Sequence, residues 1–501
     1  MKLFGVSVSR ELVYQLLYGT LGAISLIGSG MTMGYSAVAL PSLANGTSGV
    51  YVVDDSATWF ASLPIIATPL GSVISLITMK AGRRVAIASS TSVCTISWIT
   101  IACSYDVPQL LFGRILGGVA IGLVSTPSAV YVAEISSPNI TTVLTALTAL
   151  TMAMGVSIVY FLGYVTQRDW RMTAILSSIA PFFLTAAIII SLPESPRWLL
   201  SRKRHEDARK ALLRLRGLKQ ETESFKEEFA DMISNSLKNY EAETSTGIGQ
   251  GPTFVPDPGA SQTGIPTPSR IKDSGTSIVN IVWKKSRDIL RIIKIPEVWK
   301  PFIILNMFFF FQQFCGIYVL IAYSVDLISN TGITQDPYVI TVFIGLIQLV
   351  ASITLVSSST RIGRRSIAMI SGVGMSVSLA VLGVYNQFFR NDAISGLPLA
   401  CILFFIAAGS FGFASLPWAM IGELYPTRYV SILGPITTCF AGFYQFATVQ
   451  LYPTFIQYDA IGTIYFYCAI SVAATIFVVF TLPETMGKSK TEIEARFKGI
   501  S

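Results

Sequence analysis

Two carboxamides, Gln312 and Gln313, stand side by side in the run Phe308–Gly316, whose other members are all apolar. An amide both donates and accepts hydrogen bonds. A pair set among apolar side chains must either satisfy itself against neighbouring helices or serve a polar ligand. Arg114, inside Gly113-Arg114-Ile115-Leu116-Gly117-Gly118, poses the same question. It faces a bundle interior with a partner, or it snorkels to a polar boundary. Other charges recur in matched sets. Ala81-Gly82-Arg83-Arg84 is answered by Ile362-Gly363-Arg364-Arg365, Glu134 with Pro138 by Glu423 with Pro426, and Pro193-Glu194-Ser195-Pro196-Arg197 by Pro483-Glu484-Thr485. All three offsets fall at about 280–290 residues, in order, which marks an internal repeat. The chemistry on offer is hydrogen-bond recognition and ion pairing. Metal-ligand and nucleotide-binding patterns are missing from the sequence. The one histidine, His205, lies in a charged segment and reads as a solvated side chain. No enzyme, cofactor or metal is expected.

The elements that must position these groups are apolar. Of 501 residues, 52% are hydrophobic and 13% charged, against about 25% charged in a soluble domain. Mean hydropathy is +0.60. Long apolar runs separated by short polar breaks must be helices in a bilayer, because backbone groups in lipid bond internally. Twelve spans are predicted: 13–35, 58–78, 85–103, 109–131, 143–165, 173–192, 301–328, 339–358, 366–385, 397–422, 430–452 and 461–482. The fold class is an all-α membrane protein with twelve transmembrane helices in two pseudo-symmetric six-helix halves. Residues 1–196 form the first half, 197–299 a polar linker, and 300–501 the second half with a short tail. The linker is expected to carry a short amphipathic helix over Arg202–Arg216 and a flexible Gly/Ser/Pro-rich loop over Thr244–Gly275. The first apolar run reads as a span rather than a cleavable signal. All six cysteines fall in apolar runs without a CxxC pair and read as buried thiols.

The net charge of +8 sits at the ends of apolar runs instead of in a stripe, so the partner it implies is the lipid bilayer and not nucleic acid. Basic clusters follow spans two, six, eight, ten and twelve. The opposite loops carry Asp54, Asp55, Asp106, Asp336 and Asp459, with Arg168, Arg171 and Arg390 as exceptions. The positive-inside rule puts both termini in the cytoplasm. It also places the sequon Asn45-Gly46-Thr47 outside, where Asn45 is a glycosylation candidate.

The repeated charges suggest a conformational latch. Arg83, Arg84, Arg197, Arg364, Arg365 and Arg428 face Glu134, Glu194, Glu423 and Glu484 at helix ends on one side of the membrane. A Gly allows the tight reversal, and Arg offers a two-pronged fork to a carboxylate. Such pairs can hold the halves together when the protein is open to the outside, and must then break on inward opening.

These residues resemble the sugar porter family of the major facilitator superfamily. The family carries Gly-Arg-Arg turns, Pro-Glu-Ser-Pro-Arg after span six, Gln-Gln-x-x-Gly in span seven, Pro-Trp in span ten and Pro-Glu-Thr after span twelve. Here these are Gly82–Arg84, Pro193–Arg197, Gln312–Gly316, Pro417-Trp418 and Pro483–Thr485, with Tyr131-Val132-Ala133-Glu134-Ile135 closing span four. The first span, with Gly34-Tyr35-Ser36-Ala37, looks most like the insect facilitated trehalose transporter-like branch. The resemblance implies the major facilitator fold, a plasma-membrane location and a sugar site at mid-membrane. That site would draw on Gln312, Gln313, Tyr318, Tyr323, Gln348, Trp418 and Gln445, with a helix break expected at Pro417. Several positions depart from the pattern: Tyr318 replaces an Asn, Ala322-Tyr323 a tyrosine pair, Tyr160 a span-five Gln, and Ser410 an acidic residue. Met79 and Thr360 replace the acids before the Gly-Arg-Arg turns, and Thr141-Thr142 replaces an Arg-Gly. Relatives that couple to protons tend to carry an Asp in span one, and no Asp or Glu occurs between Glu11 and Asp54. Facilitated diffusion of a hexose or trehalose by alternating access is the reading. The alternatives are a proton symporter, a non-transporting sugar sensor or a carrier of another solute. Oligomeric state is not legible.

Overall fold

The computed structural model of the chain describes residues 2–3, 6–7, 10–44, 50–52, 55–245, 296–330, 335–359, 361–389, 396–426, 429–486, 488 and 490–498. Asn45, Thr360, Arg428 and the Gly/Ser/Pro-rich loop beyond residue 245 lie outside them. Apart from a two-residue antiparallel pairing of Lys2–Leu3 with Val6–Ser7, the described secondary structure is helical.

Nine spans are single helices: two (Asp55–Ala81), three (Arg83–Ala102), four (Val107–Ile135), five (Pro138–Val165), six (Trp170–Ser191), eight (Pro337–Ser358), nine (Arg364–Phe388), eleven (Val430–Tyr458) and twelve (Ala460–Thr481). Three spans are broken. Span one is Arg10–Ile24 and Ile27–Ala44, span seven is Pro296–Phe314 and Ile317–Asn330, and span ten is Leu397–Phe411 and Leu416–Leu424. Among the described residues, eleven of these spans are long and apolar enough to cross a membrane, and span eleven is the twelfth long helix. Span one runs on to Ala44, beyond the expected end at 35, because Leu40-Pro41-Ser42-Leu43 stays helical.

Local chemistry sets the helix starts. Asp106, Asp169, Asp336 and Asp459 each accept a backbone N–H in the first turn of spans four, six, eight and twelve. Three of the acidic residues that mark one set of loops in the sequence, Asp106, Asp336 and Asp459, are therefore N-caps as well. Glycines let backbones meet. A Cβ on Gly118 or Gly122 would strike the carbonyls of Pro64 or Thr68 in span two, and one on Gly30 would strike Met152 in span five. Such close approach is the usual way helices associate where lipid removes the hydrophobic drive.

Spans one to six pack together, as do spans seven to twelve. The two sets meet along span five with span eight, span two with span eleven, and the second helix of span one with that of span seven. Both Gly-Arg-Arg turns, the linker helices (Pro196–Ser201, His205–Arg216, Glu223–Ser245) and the tail helix Lys490–Lys498 lie at one end, called here the basic end. The expected helix at Arg202–Arg216 is present from His205, and His205 is exposed.

Candidate functional site

The candidate site is built on two broken helices. Span seven stops at Phe314 and restarts at Ile317. Gly316 turns the chain at φ 91°, a conformation other residues adopt only with strain. Span ten opens over residues 412–415, and Pro417 sits in the first turn of the new helix, where its missing N–H costs nothing. The break therefore lies just ahead of Pro417 and leaves main-chain carbonyls without helical partners.

Gln312 meets those carbonyls. Its Nε2 donates to Phe413 O at 2.7 Å and Ala414 O at 2.8 Å. Its Oε1 accepts Gln313 Nε2 at 3.1 Å. Both amides are buried, and Gln313 Oε1 has no partner among the described residues. The pair thus divides its work. Gln312 ties span seven to span ten, and Gln313 keeps an acceptor oxygen for something else. A buried acceptor without a hydrogen bond is costly and calls for a ligand or water. Gln348 in span eight, also buried, has a second orphaned oxygen, Oε1.

Of the other expected residues, Tyr318 shares an acceptor with Gln312, and the rest have partners of their own. The Tyr318 hydroxyl donates to Ala414 O at 3.4 Å. Trp418 stands edge-on to Phe309 at 4.9 Å and remains 37% exposed, so its ring closes one wall and keeps a free face. Gln445 in span eleven reaches across to the first half, its Nε2 lying 3.7 Å from Met33 Sδ. Tyr323 is set apart: it has non-helical φ and ψ, packs on Tyr452 at 5.1 Å and donates to Val449 O at 3.4 Å. It supports the bend in span seven. Ser371, unremarked in the sequence, accepts Phe413 N–H at 3.0 Å and donates to Ala408 O, which pins the span-ten break to span nine.

Arg114 is fully interior. Its Nε donates to Phe60 O (3.0 Å), Nη1 to Thr32 O (2.8 Å) and Nη2 to Ser36 Oγ (2.5 Å). These acceptors are neutral, and the rings of Phe60 and Tyr35 flank the guanidinium at 4.7 and 5.7 Å.

The charge sets at the basic end close within each half, in parallel fashion. Arg83 forms a fork with Glu134 (2.9 and 3.2 Å), and Glu194 accepts the Arg83 and Arg84 N–H groups. Arg364 pairs with Glu423 at 3.1 Å, and Glu484 accepts the Arg364 and Arg365 N–H groups. Glu423 also takes the Thr485 hydroxyl at 2.5 Å. Among the described residues the Arg–Glu pairs brace the turns of their own half and none bridges to the other. Arg197 is exposed.

The halves are joined elsewhere. Ser62 donates to Gln450 Oε1 (2.6 Å), Ser157 to Gly345 O (2.7 Å), Tyr160 to Ile321 O (2.7 Å) and Tyr338 to Val38 O (3.3 Å). Arg168 pairs with Asp336 at 2.7 Å and lies over the Tyr338 ring at 4.8 Å. These links occupy the middle and the end opposite the basic one. Tyr160, which in the sequence only marks a departure from the family's span-five Gln, is one of them. A long phenol in place of an amide was the signal available.

The family model described as sugar (and other) transporter matches residues 22–248 and 269–497. A facilitated trehalose transporter Tret1-2 homolog of Drosophila simulans is 28% identical, covering 94% of this chain and 88% of its own. A facilitated trehalose transporter Tret1 of Apis mellifera ligustica is 26% identical over 97% of this chain and 88% of its own. The Drosophila mojavensis Tret1 is 28% identical, and the chain spans 50% of its length. Among solved structures, the inward-open xylose transporter XylE of E. coli superposes with a TM-score of 0.70 at 18% identity, covering 97% of this chain and 100% of the other. The proton:xylose symporter XylE, a major facilitator superfamily protein bound to a bromo-deoxy-glucose, gives 0.69 at 20% identity with the same coverage. The fold is the major facilitator fold.

Proposed function

This chain belongs to the sugar (and other) transporter family of multi-pass membrane carriers, and from that premise we propose that it moves trehalose or a hexose by facilitated diffusion. The observation that carries the reading is a pair of buried carboxamides with unpartnered acceptor oxygens, Gln313 beside the break of span seven and Gln348 in span eight, together with the partly exposed ring of Trp418 in span ten. Amides and an aromatic face are what replaces water around a hydroxylated solute. Irregular backbone at membrane depth is tolerated where it lines such a site.

The basic end is cytoplasmic by the positive-inside rule, with both termini there, and the membrane is the plasma membrane. The links between the halves then fall on the outer side, so the state is closed outside. Outward opening requires span seven's second helix to leave span one, and Tyr160 and Tyr338 to release their carbonyls. The repeated Arg–Glu braces keep each half rigid while the halves rock. In the outward-open state the same residues, with Arg197 and Arg428, come to face each other across the closed cytoplasmic side. Asn45 is the outer glycosylation site.

Uniport is supported by the acid-free first span and by the neutral partners of Arg114. A proton symporter needs a titratable group that answers to the substrate site, and among the described residues Arg114 donates to two carbonyls and a hydroxyl. One observation favours the symport alternative. Asp326, in the second helix of span seven, is half-buried and has no hydrogen-bond partner among the described residues. The deciding experiment is uptake of labelled trehalose and glucose into vesicles at two pH values. Counterflow of one sugar that persists with a proton ionophore is expected. Uptake that collapses with the ionophore removes uniport, and uptake of neither sugar removes the substrate assignment.

A further inference from the structure

We propose that the corner where the turn between spans two and three meets the helix Pro196–Ser201 binds the phosphate of an anionic phospholipid, a reading that rests on the membrane assignment above. Lys80 and Arg202 meet at this corner, and Arg84 lies in the adjoining Gly-Arg-Arg turn. Lys80 extends the exposed stripe of Val73 and Ile77 on span two by one more helical step. Arg202 reaches over it, its Nη2 donating to Lys80 O at 2.6 Å while its guanidinium lies above the Trp198 ring at 5.6 Å. The Trp198 ring stands 3.7 Å from where a Cβ on Gly82 would be, against the Gly-Arg-Arg turn. Arg84 follows in that turn. Its backbone N–H is on Glu194, but its guanidinium has no acceptor among the described residues. Lys80 is exposed and its ammonium is equally without one.

The local carboxylate does not neutralise them. Glu194 already accepts the N–H groups of Arg83, Arg84 and Ser195. The repeat supplies an internal comparison. In the second half, the counterpart of Arg84 is Arg365, and its guanidinium donates to Val479 O. There the guanidinium has one protein acceptor and keeps its Nε unpaired, while in the first half no acceptor meets it among the described residues. The positive-inside effect explains basic residues at this end. It does not explain an arginine laid across a tryptophan beside two unmatched cations. Guanidinium forks and an ammonium are the donors that phosphate oxygens take. On the membrane side of them stand the exposed side chains of Val73, Ile77 and Val85, a wall for an acyl chain. That wall selects a phospholipid over a soluble phosphate.

The test is lipid retention by the full chain purified from vesicles of neutral lipid with a minor fraction of phosphatidylglycerol or phosphatidylinositol, read by native mass spectrometry. The wild type should retain the anionic lipid in preference to the neutral one. Lys80→Gln, Arg84→Gln and Arg202→Gln should each weaken retention about fivefold, the effect of one charge near a membrane surface. Arg84→Lys should retain it, and Lys210→Gln, an exposed charge on the neighbouring helix, should change nothing. Thermal melts of each variant separate lipid loss from unfolding. Equal retention of neutral and anionic lipid, or retention that the three substitutions leave intact in folded protein, overturns the proposal. So does complete displacement of the lipid by inorganic phosphate at constant ionic strength, which would make the corner a simple anion site.

Discussion

Gln312 Oε1 accepts the side-chain amide of Gln313 across 3.1 Å, and that bond fixes which way both amides point. Gln312 is anchored at its other end on Phe413 O and Ala414 O, so Gln313 must present its oxygen. The two residues should therefore fail differently. Gln312→Ala removes the donor from two buried carbonyls and should cost about 1–3 kcal/mol of stability, seen as a lower thermal midpoint together with weak uptake. Gln313→Ala strands one buried acceptor, Gln312 Oε1, but leaves the span-ten carbonyls bonded, so it should lower the midpoint less and raise KM for the sugar. Equal melting losses in both variants would show that the relay does not divide the pair.

The polarity of that relay has a consequence for substrates. An orphaned acceptor on Gln313 and another on Gln348 ask the solute for hydroxyl donors. Sugars with one hydroxyl replaced by fluorine keep an acceptor and lose the donor. At least one position should then lose about tenfold or more in competition, because a site built to pair a hydroxyl rejects the analogue that leaves its group unpaired. Uniform competition by the whole fluoro series would remove the acceptor reading.

Tyr160 and Arg168 hold the outer side in different ways. The Tyr160 hydroxyl is buried and donates to Ile321 O, so Tyr160→Phe should forfeit about 1 kcal/mol of the closed state, roughly fivefold in population. The Arg168–Asp336 pair is largely exposed, and Arg168→Gln should shift the balance less, by about 0.2–1 kcal/mol, with the wild-type contribution fading at high salt. Arg168 also sits at φ 73°, a strained conformation for a side-chain-bearing residue. Labelling of a cysteine placed at Ser62 from the outside reads both effects. Unchanged labelling in Tyr160→Phe would mean the bond does not bias the states.

The repeat, the helical class and the placement of the span-seven amides are legible in the sequence because each has a local cause: long apolar runs, glycine turns, amides where only apolar residues otherwise occur. The division of labour between Gln312 and Gln313 is not, since it depends on carbonyls freed in span ten, a hundred residues away. The latch is half legible. Residue types mark the Arg and Glu sets, but spacing alone does not assign Arg83 to Glu134 or Arg364 to Glu423, nor say whether an arginine pairs within its half or across. Arg114 was open between interior and boundary, and only the positions of Thr32, Ser36 and Phe60 around it decide.

Ser36 lies against the one buried guanidinium of the first half. Its neutrality predicts uptake that is flat from mildly acidic to neutral pH. Ser36→Asp places a carboxylate within reach of Arg114, and uptake should then acquire a pH dependence or stop. If the wild type is pH-dependent, Asp326→Asn identifies the source: a flattened profile would assign coupling to span seven and end the uniport reading.

The linker is braced internally by two parallel ion pairs and meets the first half through Arg216. Arg209 bonds Glu221 and Arg216 bonds Glu228, each twelve residues on. Arg216 continues to Ile135 O at 3.0 Å, at the end of span four, and Gly217 turns at φ 64° against the Tyr14 ring. The Arg209 guanidinium hydrogen-bonded to Glu221 holds that carboxyl below its ordinary range. A carboxyl depressed in the folded state contributes stability above its unfolded pKa and loses it as pH falls through the lowered value. Acid should therefore loosen His205–Arg216 from Glu223–Ser245 before it affects the membrane helices. Hydrogen exchange over 205–230 should rise on acidification, and Glu221→Gln should show fast exchange at every pH with the acid step gone. An acid step that survives in Glu221→Gln would remove the Arg209–Glu221 pair as its cause.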